Sequence, residues 1–308
     1  MTNPIMFHRP KSVLVIGAIN RDIKARCCDP IVHLADSNSA IISQHDGGVG
    51  RNIADVLSRL AVPTTFITAF GNDDVSKTMR AHLERYHIDL SHALTIEHMR
   101  SDMFISIHDE EGELLSAVNQ MTLIEYITPS FIKSKEALIS DADFVICDCN
   151  LSQDTMAAIA HLPRKGKLVI DAVSATKIRR ISEFVYKVDI LKVSRIEALA
   201  LCDAHIESSA ETLVHALCDL GVKQVIVSDG PQGFYTNNGN QIHHFEAITA
   251  TPQTVTGAGD CLLAGYIYGL ANGDSLIRSC ELGRQAAFLS TKSIASVNNY
   301  ITLDNIIS

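Results

Sequence analysis

Brief apolar runs alternate with stretches of helical period along most of the chain, and no other feature restricts its fold so strongly. Lys11 to Gly17 (KSVLVIG) is a partly β-branched run closed by glycine, and Gly50 to Leu60 then sets Ile53, Ala54, Leu57 and Leu60 on one helical face. Thr64 to Phe70, Phe144 to Cys147, Lys167 to Ile170, Val188 to Lys192 and Lys223 to Ser228 are further strand-like runs, and Asp73 to Tyr86 is a further helix. Strands joined by helical crossovers lie in a mostly parallel sheet covered on both faces.

Two regions break the rhythm. Asn20 to Gln44 is polar and β-like, without helical period, and Met103 to Asn119 carries MFISIHD and ELLSAVN on either side of Glu111-Gly112, the pattern of a hairpin. Together they predict a small antiparallel lid over the carboxyl edge of the sheet, from segments at approximately 20–45 and 98–122. Asn237-Asn238-Gly239 marks another hairpin. There is no linker-like Pro/Gly/Ser tract and no internal repeat, so the expected organisation is one α/β domain, 1–308, with a lid inserted.

Charge narrows the function classes. The 308 residues carry a net charge of −9 and no lysine- or arginine-rich run, which argues against a nucleic-acid partner. The run Asp109-Glu110-Glu111-Gly112-Glu113 suits a solvated hairpin tip. No stretch is apolar enough to span a bilayer, and Met1 to Lys11 lacks the apolar core of a signal peptide, so a cytoplasmic enzyme without membrane partners is expected. Eight cysteines occur, none in CxxC spacing, and they are expected to be reduced thiols.

Two glycine-rich boxes carry chemistry. Thr256-Gly257-Ala258-Gly259-Asp260 precedes an apolar helix from Cys261 to Leu270. Small residues at a helix start let main-chain N–H groups converge where the helix dipole is positive, a site for a phosphoryl group. Asp260, in the first turn, is placed to take a proton from an attacking hydroxyl; a glycine turn with a dipole-matching carboxylate is the plainer alternative. The second box, Gly47-Gly48-Val49-Gly50-Arg51-Asn52-Ile53-Ala54, brings glycines and an asparagine to another helix start. There the backbone can approach a ligand and Asn52 can bond a sugar hydroxyl. Walker-type GxxxxGK[ST] and GxGxxG patterns are absent.

The two boxes, in this order and roughly 200 positions apart, resemble the two signatures of the ribokinase-like (PfkB) kinases over nearly the whole chain. The resemblance implies a three-layer α/β/α sandwich with a mostly parallel sheet and a small β lid. It also implies ATP and Mg2+, with Asp260 as base and Gly257, Ala258 and Gly259 as the anion hole. Asn20-Arg21-Asp22 resembles the family's N-x-D, so Asn20 and Asp22, with Gly47, Gly48 and Asn52, would hold the sugar. Glu197, in Ser194-Arg195-Ile196-Glu197, falls where the family's glutamate organises Mg2+ and its waters, although Ser194 replaces an asparagine and Ser-x-x-Glu is also a capping box. Ser228, Gly230 and Gly233 resemble the nucleotide loop; Thr256 and Asn299 (beside Asn298) complete the implied ATP site. Thr254 stands where the family has an aspartate that supports a monovalent cation, so potassium dependence is not implied.

Five patches resemble pseudouridine kinases: GGVGRNIA, Ala35-Asp36-Ser37-Asn38, Asn119-Gln120-Met121, Asp148-Cys149-Asn150 and Asp171-Ala172-Val173-Ser174-Ala175. They imply pseudouridine as acceptor, with Asn119 and Asp148 or Asn150 as candidates to read its base. Another nucleoside, ribose or fructose as acceptor, or a silent nucleoside-binding protein on the same fold, are the alternatives. A homodimer through the open β edges of the lid is expected.

Overall fold

Val13 and Val15 point to one side of the first strand, Leu14 and Ile16 to the other, and all four are buried, so both faces of the sheet must be covered. A computed structural model of the chain describes residues 11–31, 33, 36–249 and 251–307. Strand β1 (Val13–Ile16) leads into the hairpin β2 (Asn20–Cys27) and β3 (Ala40–Gly47), then helix α1 (Val49–Arg59). β4 (Thr64–Ile67), β5 (Ala69–Phe70), α2 (Asp74–Arg85) and β6 (Leu94–Thr95) precede a second hairpin, β7 (Met103–His108) and β8 (Leu114–Gln120). Next come α3 (Pro129–Ser134), α4 (Glu136–Asp141), β9 (Phe144–Asp148), α5 (Gln153–His161), β10 (Lys167–Asp171) and β11 (Ile190–Ser194). The chain continues through α6 (Arg195–Cys202), α7 (Ala210–Asp219), β12 (Gln224–Ser228) and the hairpin β13 (Phe234–Asn238) and β14 (Gln241–Phe245). It closes with α8 (Ala258–Asn272), α9 (Leu276–Ser290) and α10 (Leu303–Ile307).

The main sheet has the order β14-β13-β12-β11-β10-β9-β1-β4. Its strands run parallel from β4 to β12, and only the terminal hairpin is antiparallel. Leu14, Ile16, Val145, Ile170 and Val193 pack with α3 to α7 on one face; Val13, Val15, Ile146, Val169 and Ile226 pack with α1, α2, α8, α9 and α10 on the other. The fold is therefore a three-layer α/β/α sandwich with a mostly parallel sheet, the architecture that the resemblance implies. Among the described residues no helix is long and apolar enough to cross a membrane.

The lid is a second sheet, β3-β2-β7-β8. Its two hairpins are antiparallel, but β2 and β7 pair in parallel, so the lid is mixed where an antiparallel sheet was expected. The reason is topological: each hairpin is local, whereas the central pair joins segments brought together only by the domain beneath them.

Helix α8 must start at the carboxyl edge and cross the back of the sheet closely packed against α9. Its Gly265 permits this, since a Cβ there would lie 2.8–2.9 Å from the Leu282 carbonyl, the Ala286 methyl and the Cα of Gly283. Gly265→Val should therefore lower the unfolding free energy by about 1–3 kcal/mol, the usual cost of overpacking, as read by urea denaturation.

Candidate active site

Successive parallel strands end on polar residues: Asp148 on β9, Asp171 on β10, Ser194 on β11 and Ser228 on β12. In an open α/β sheet this carboxyl edge is where ligands bind. Asp148, read from sequence as a candidate for base recognition, is fully occupied by the chain. Its Oδ2 accepts the N–H groups of Ala18 and Gly50, both at 2.8 Å, and its Oδ1 that of Asn150 at 2.9 Å. It thus ties the end of β1 to the start of α1. Gly17 and Gly50 allow the approach, since a Cβ on Gly17 would run into this carboxylate and one on Gly50 into the Gly17 backbone.

The first glycine box lies beside that tie. Gly48 has φ +99° with the Ala18 carbonyl against it, a conformation and a space for glycine alone. Gly47 lies under the Asp22 carboxylate, where a Cβ would collide. Asn20 Nδ2 donates to Asp22 Oδ1 at 2.6 Å. Burial pushes the Asp22 carboxyl up, against the Asn20 hydrogen bond and the charge of Arg51. Asn52 is buried, and its Nδ2 donates to Asp260 Oδ2 at 2.6 Å, so residues 208 apart in sequence meet. Its Oδ1 is buried without a hydrogen-bond partner, a group that calls for an explanation.

The second box begins α8 earlier than the sequence suggested, at Ala258, with Gly257 at φ 81° as N-cap and no side-chain cap. The N–H groups of Gly259 and Asp260 have no place in the helix ladder. That of Ala258 turns back onto the Val255 carbonyl at 3.2 Å, so of the three amides read from sequence as an anion hole (Gly257, Ala258 and Gly259) the middle one is already bonded. Gly257, Ala258 and Gly259 are half-exposed, whereas Asp260 is 7% exposed. Lys192, inside the apolar strand β11, presses its ammonium against Gly259, filling the place of a Cβ, and pairs with Asp171 Oδ2 at 3.1 Å. Burial drives the Asp260 carboxyl up to about 7; Asp171 and Asp148 add to this, and Lys192 and Asn52 oppose it. For Lys192, burial is outweighed by Asp171, Glu197 and Asp260, and its ammonium is held well above the usual lysine value.

Other sequence candidates divide. Glu197 closes the capping box, its Oε2 accepting the Ser194 N–H at 2.6 Å. Ser228 Oγ reaches the Val193 carbonyl at 3.4 Å; Gly230 (φ +54°) and Gly233 (φ +89°) shape the turn after β12. Thr256 is exposed, and its N–H donates to Thr254 Oγ1 at 3.2 Å. Asn299 accepts from Arg59 Nη1 at 3.2 Å through Oδ1, while Asn298 is buried on the carbonyls of Leu289 and Ser290. Asn119 is exposed on β8. Of the Ala35 to Asn38 patch, Ala35 lies outside the described residues.

Sequence reasoning missed Lys192, although a lysine inside an apolar strand is a signal, since buried lysines are paired. It also missed Lys177, half-buried, with Nζ donating to Asn150 Oδ1 at 2.6 Å. Two lid residues were missed as well. Register places His45, Asp22, Phe104 and Asn119 in one row across β3, β2, β7 and β8, hence on one face, and His45 Nε2 is buried without a partner.

With this geometry in view, comparison with known proteins is decisive at the family level. Residues 10–302 match the pfkB family carbohydrate kinase. The chain belongs to that family. It is a phosphotransferase with an alcohol acceptor, a sugar or a nucleoside. It is similar to the pseudouridine kinase of Escherichia coli, 25% identical over 96% of this chain and 95% of that protein. It is also similar to the pseudouridine kinase of Arabidopsis thaliana, 25% identical over 94% and 93%. The solved ribokinase of Arabidopsis thaliana complexed with ribose and ATP superposes with a TM-score of 0.84, at 21% identity, over 97% of this chain and 98% of that one.

Removing Lys192 leaves Asp171 and Asp260 facing each other in the interior. Lys192→Met should cost about 3–5 kcal/mol at pH 8, as breaking a buried pair does. The loss should shrink at pH 5–6, where a stranded carboxylate takes up a proton; urea denaturation at the two pH values checks both size and direction.

Proposed function

We propose that the chain transfers the γ-phosphoryl group of ATP to the 5′-hydroxyl of a nucleoside, with pseudouridine as acceptor, giving pseudouridine 5′-phosphate and ADP. The observation that carries this is the hydrogen bond between Asn52 and Asp260: it joins a residue suited to a sugar hydroxyl to a carboxylate that can deprotonate it.

Asp260 takes the acceptor proton as that oxygen attacks the γ-phosphorus in line. A carboxylate held near neutral pH suits the task, since base strength and the ionised fraction are both retained. The N–H groups of Gly259 and Asp260, at the positive end of α8, and the Lys192 ammonium face the charge that builds on the phosphoryl oxygens. Asn20 orients Asp22 for the ribose hydroxyls, and the unpartnered Oδ1 of Asn52 accepts from one of them. The half-exposed glycines beside Lys192 form a cradle that fits a triphosphate, with Ser228, Gly230, Gly233 and Thr256 along its path. Among the described residues no cluster of three or more His, Cys, Asp or Glu side chains could hold a metal. Mg2+ would be held largely by the phosphates and water, with Glu197 as the residue that would orient that water. Bound there, Mg2+ neutralises charge on the β- and γ-phosphates.

The lid row supports a nucleoside over a free sugar. Neighbouring strands lie about 4.8 Å apart. Phe104 is thus one strand from the ribose site at Asp22 and offers a ring for a base to stack on; Asn119, one strand further, offers an amide to its edge. Lys177 with Asn150 at the end of β9 supplies a donor for a uracil carbonyl. The opposite face of the lid is apolar and exposed, with Ile42 at 65%, Ile107 at 42% and Val118 at 62%. A second copy of the chain is the partner that this face and the free lid edges suit.

The deciding experiment sets pseudouridine, uridine and ribose side by side as acceptors, with ADP formation as readout. Pseudouridine should give the highest kcat/KM, and preference for ribose would reject the nucleoside assignment. Asp260→Asn should lower kcat by about a hundredfold or more. Wild-type kcat/KM should rise with pH through about 7 and then level, because the base works only when ionised. Val118→Asp should shift the assembly to monomer in light scattering.

A further inference from the structure

Arg51 is 3% exposed and has no part in the chemistry proposed above. Its guanidinium sits where the lid joins the domain. Nη2 donates to the Asp46 carbonyl, Nε to the Gly47 carbonyl at 3.4 Å, and Nη1 to Asp55 Oδ2 at 3.2 Å. Asp46 is held from its other side too, since its carboxylate pairs with Arg21 on β2 at 3.0 Å.

The contacts continue down one face of α1. Arg59 Nε donates to Asp55 Oδ1 at 2.7 Å, its guanidinium lies 4.0 Å over the Tyr86 ring, and its Nη1 donates to Asn299. His82 Nε2 lies 3.4 Å from Asp55 Oδ2. Asn299 belongs to a segment that passes the start of α8: the Ser296 carbonyl packs against Gly257 and accepts from Cys261 Sγ at 3.7 Å.

Two guanidinium groups around one carboxylate are a costly filling for a helix face, because aliphatic side chains of similar volume often stabilise as well or better. Asp55 is nonetheless ionised. Burial opposes its charge, but the His82 hydrogen bond and both arginines outweigh burial and hold the carboxyl at about 2. What the column achieves is geometric. The Arg51 fork fixes the two peptide planes just before Gly48, the turn into α1. Gly47 carries Asp22 above it, and Asn52 is the next residue after Arg51. The guanidinium therefore sets the distance between the lid side and the domain side of the acceptor site.

We propose that Arg51 is a positioning residue for the acceptor, and that the column Arg51–Asp55–Arg59–Asn299 makes acceptor binding depend on the nucleotide side of the site. This rests on the acceptor lying between Asp22 and Asn52. Arg51→Lys keeps the charge but cannot span two carbonyls and a carboxylate. With pseudouridine, or whichever of uridine and ribose the wild type phosphorylates, Arg51→Lys should raise the acceptor KM about tenfold or more and leave the affinity for Mg–ADP in the absence of acceptor within about twofold. Arg59→Lys, farther from the acceptor, should raise the same KM about threefold. Calorimetric titration of the acceptor with and without Mg–ADP should show tighter binding with the nucleotide in the wild type, and a smaller difference in both variants. An unchanged acceptor KM in folded Arg51→Lys, or an equally large loss of Mg–ADP affinity measured without acceptor, overturns the proposal. If Arg51→Lys does not fold, Arg59→Lys decides: a nucleotide effect equal to that of the wild type overturns it. If the wild type phosphorylates none of the three acceptors, the proposed function fails, and the acceptor titrations, with the same tenfold criterion, judge Arg51 alone.

Discussion

One buried ammonium governs the electrostatics of this site. Asp171 and Asp260 meet at the sheet edge away from water, and like charges so placed cannot both stay ionised without a cation beside them. Lys192 supplies it from within β11, where the pairing of Asp171 with Lys192 in adjacent strands sets the distance. Compensation is incomplete: burial, with Asp171 and Asp148 beside it, outweighs the ammonium and Asn52 and pushes the Asp260 carboxyl up to about 7. The place of that ammonium is thus a property of strand register, settled when the sheet forms.

The layered fold and both glycine boxes were legible in the sequence because each leaves a local mark. Buried parallel strands read as short apolar runs, and main chain that must approach a ligand or turn at positive φ reads as glycine, as at Gly48 and Gly257. Features made by distant pairing left no such mark. The parallel β2–β7 pair at the centre of the lid, and the row of His45, Asp22, Phe104 and Asn119, exist only once segments some eighty positions apart lie side by side.

Polar residues at element ends carry roles that the sequence does not separate. Asp148 and Asn299 have the look of ligand groups, and in the structure one also serves three main-chain amides and the other an arginine. A carboxylate or amide at a strand or helix end is as useful to the chain as to a ligand, and only the neighbours tell which. Glu197 shows the same ambiguity within one side chain, since its capping oxygen leaves the other free.

The wide separation of Asn52 and Asp260 in the chain has a consequence during synthesis. The first glycine box, the lid and most of the sheet leave the ribosome before α8 does, so a half-made chain holds Asn52 without the carboxylate to which its amide donates. The contact between the two boxes can therefore form only late in synthesis, once α8 has been made and can dock on the sheet.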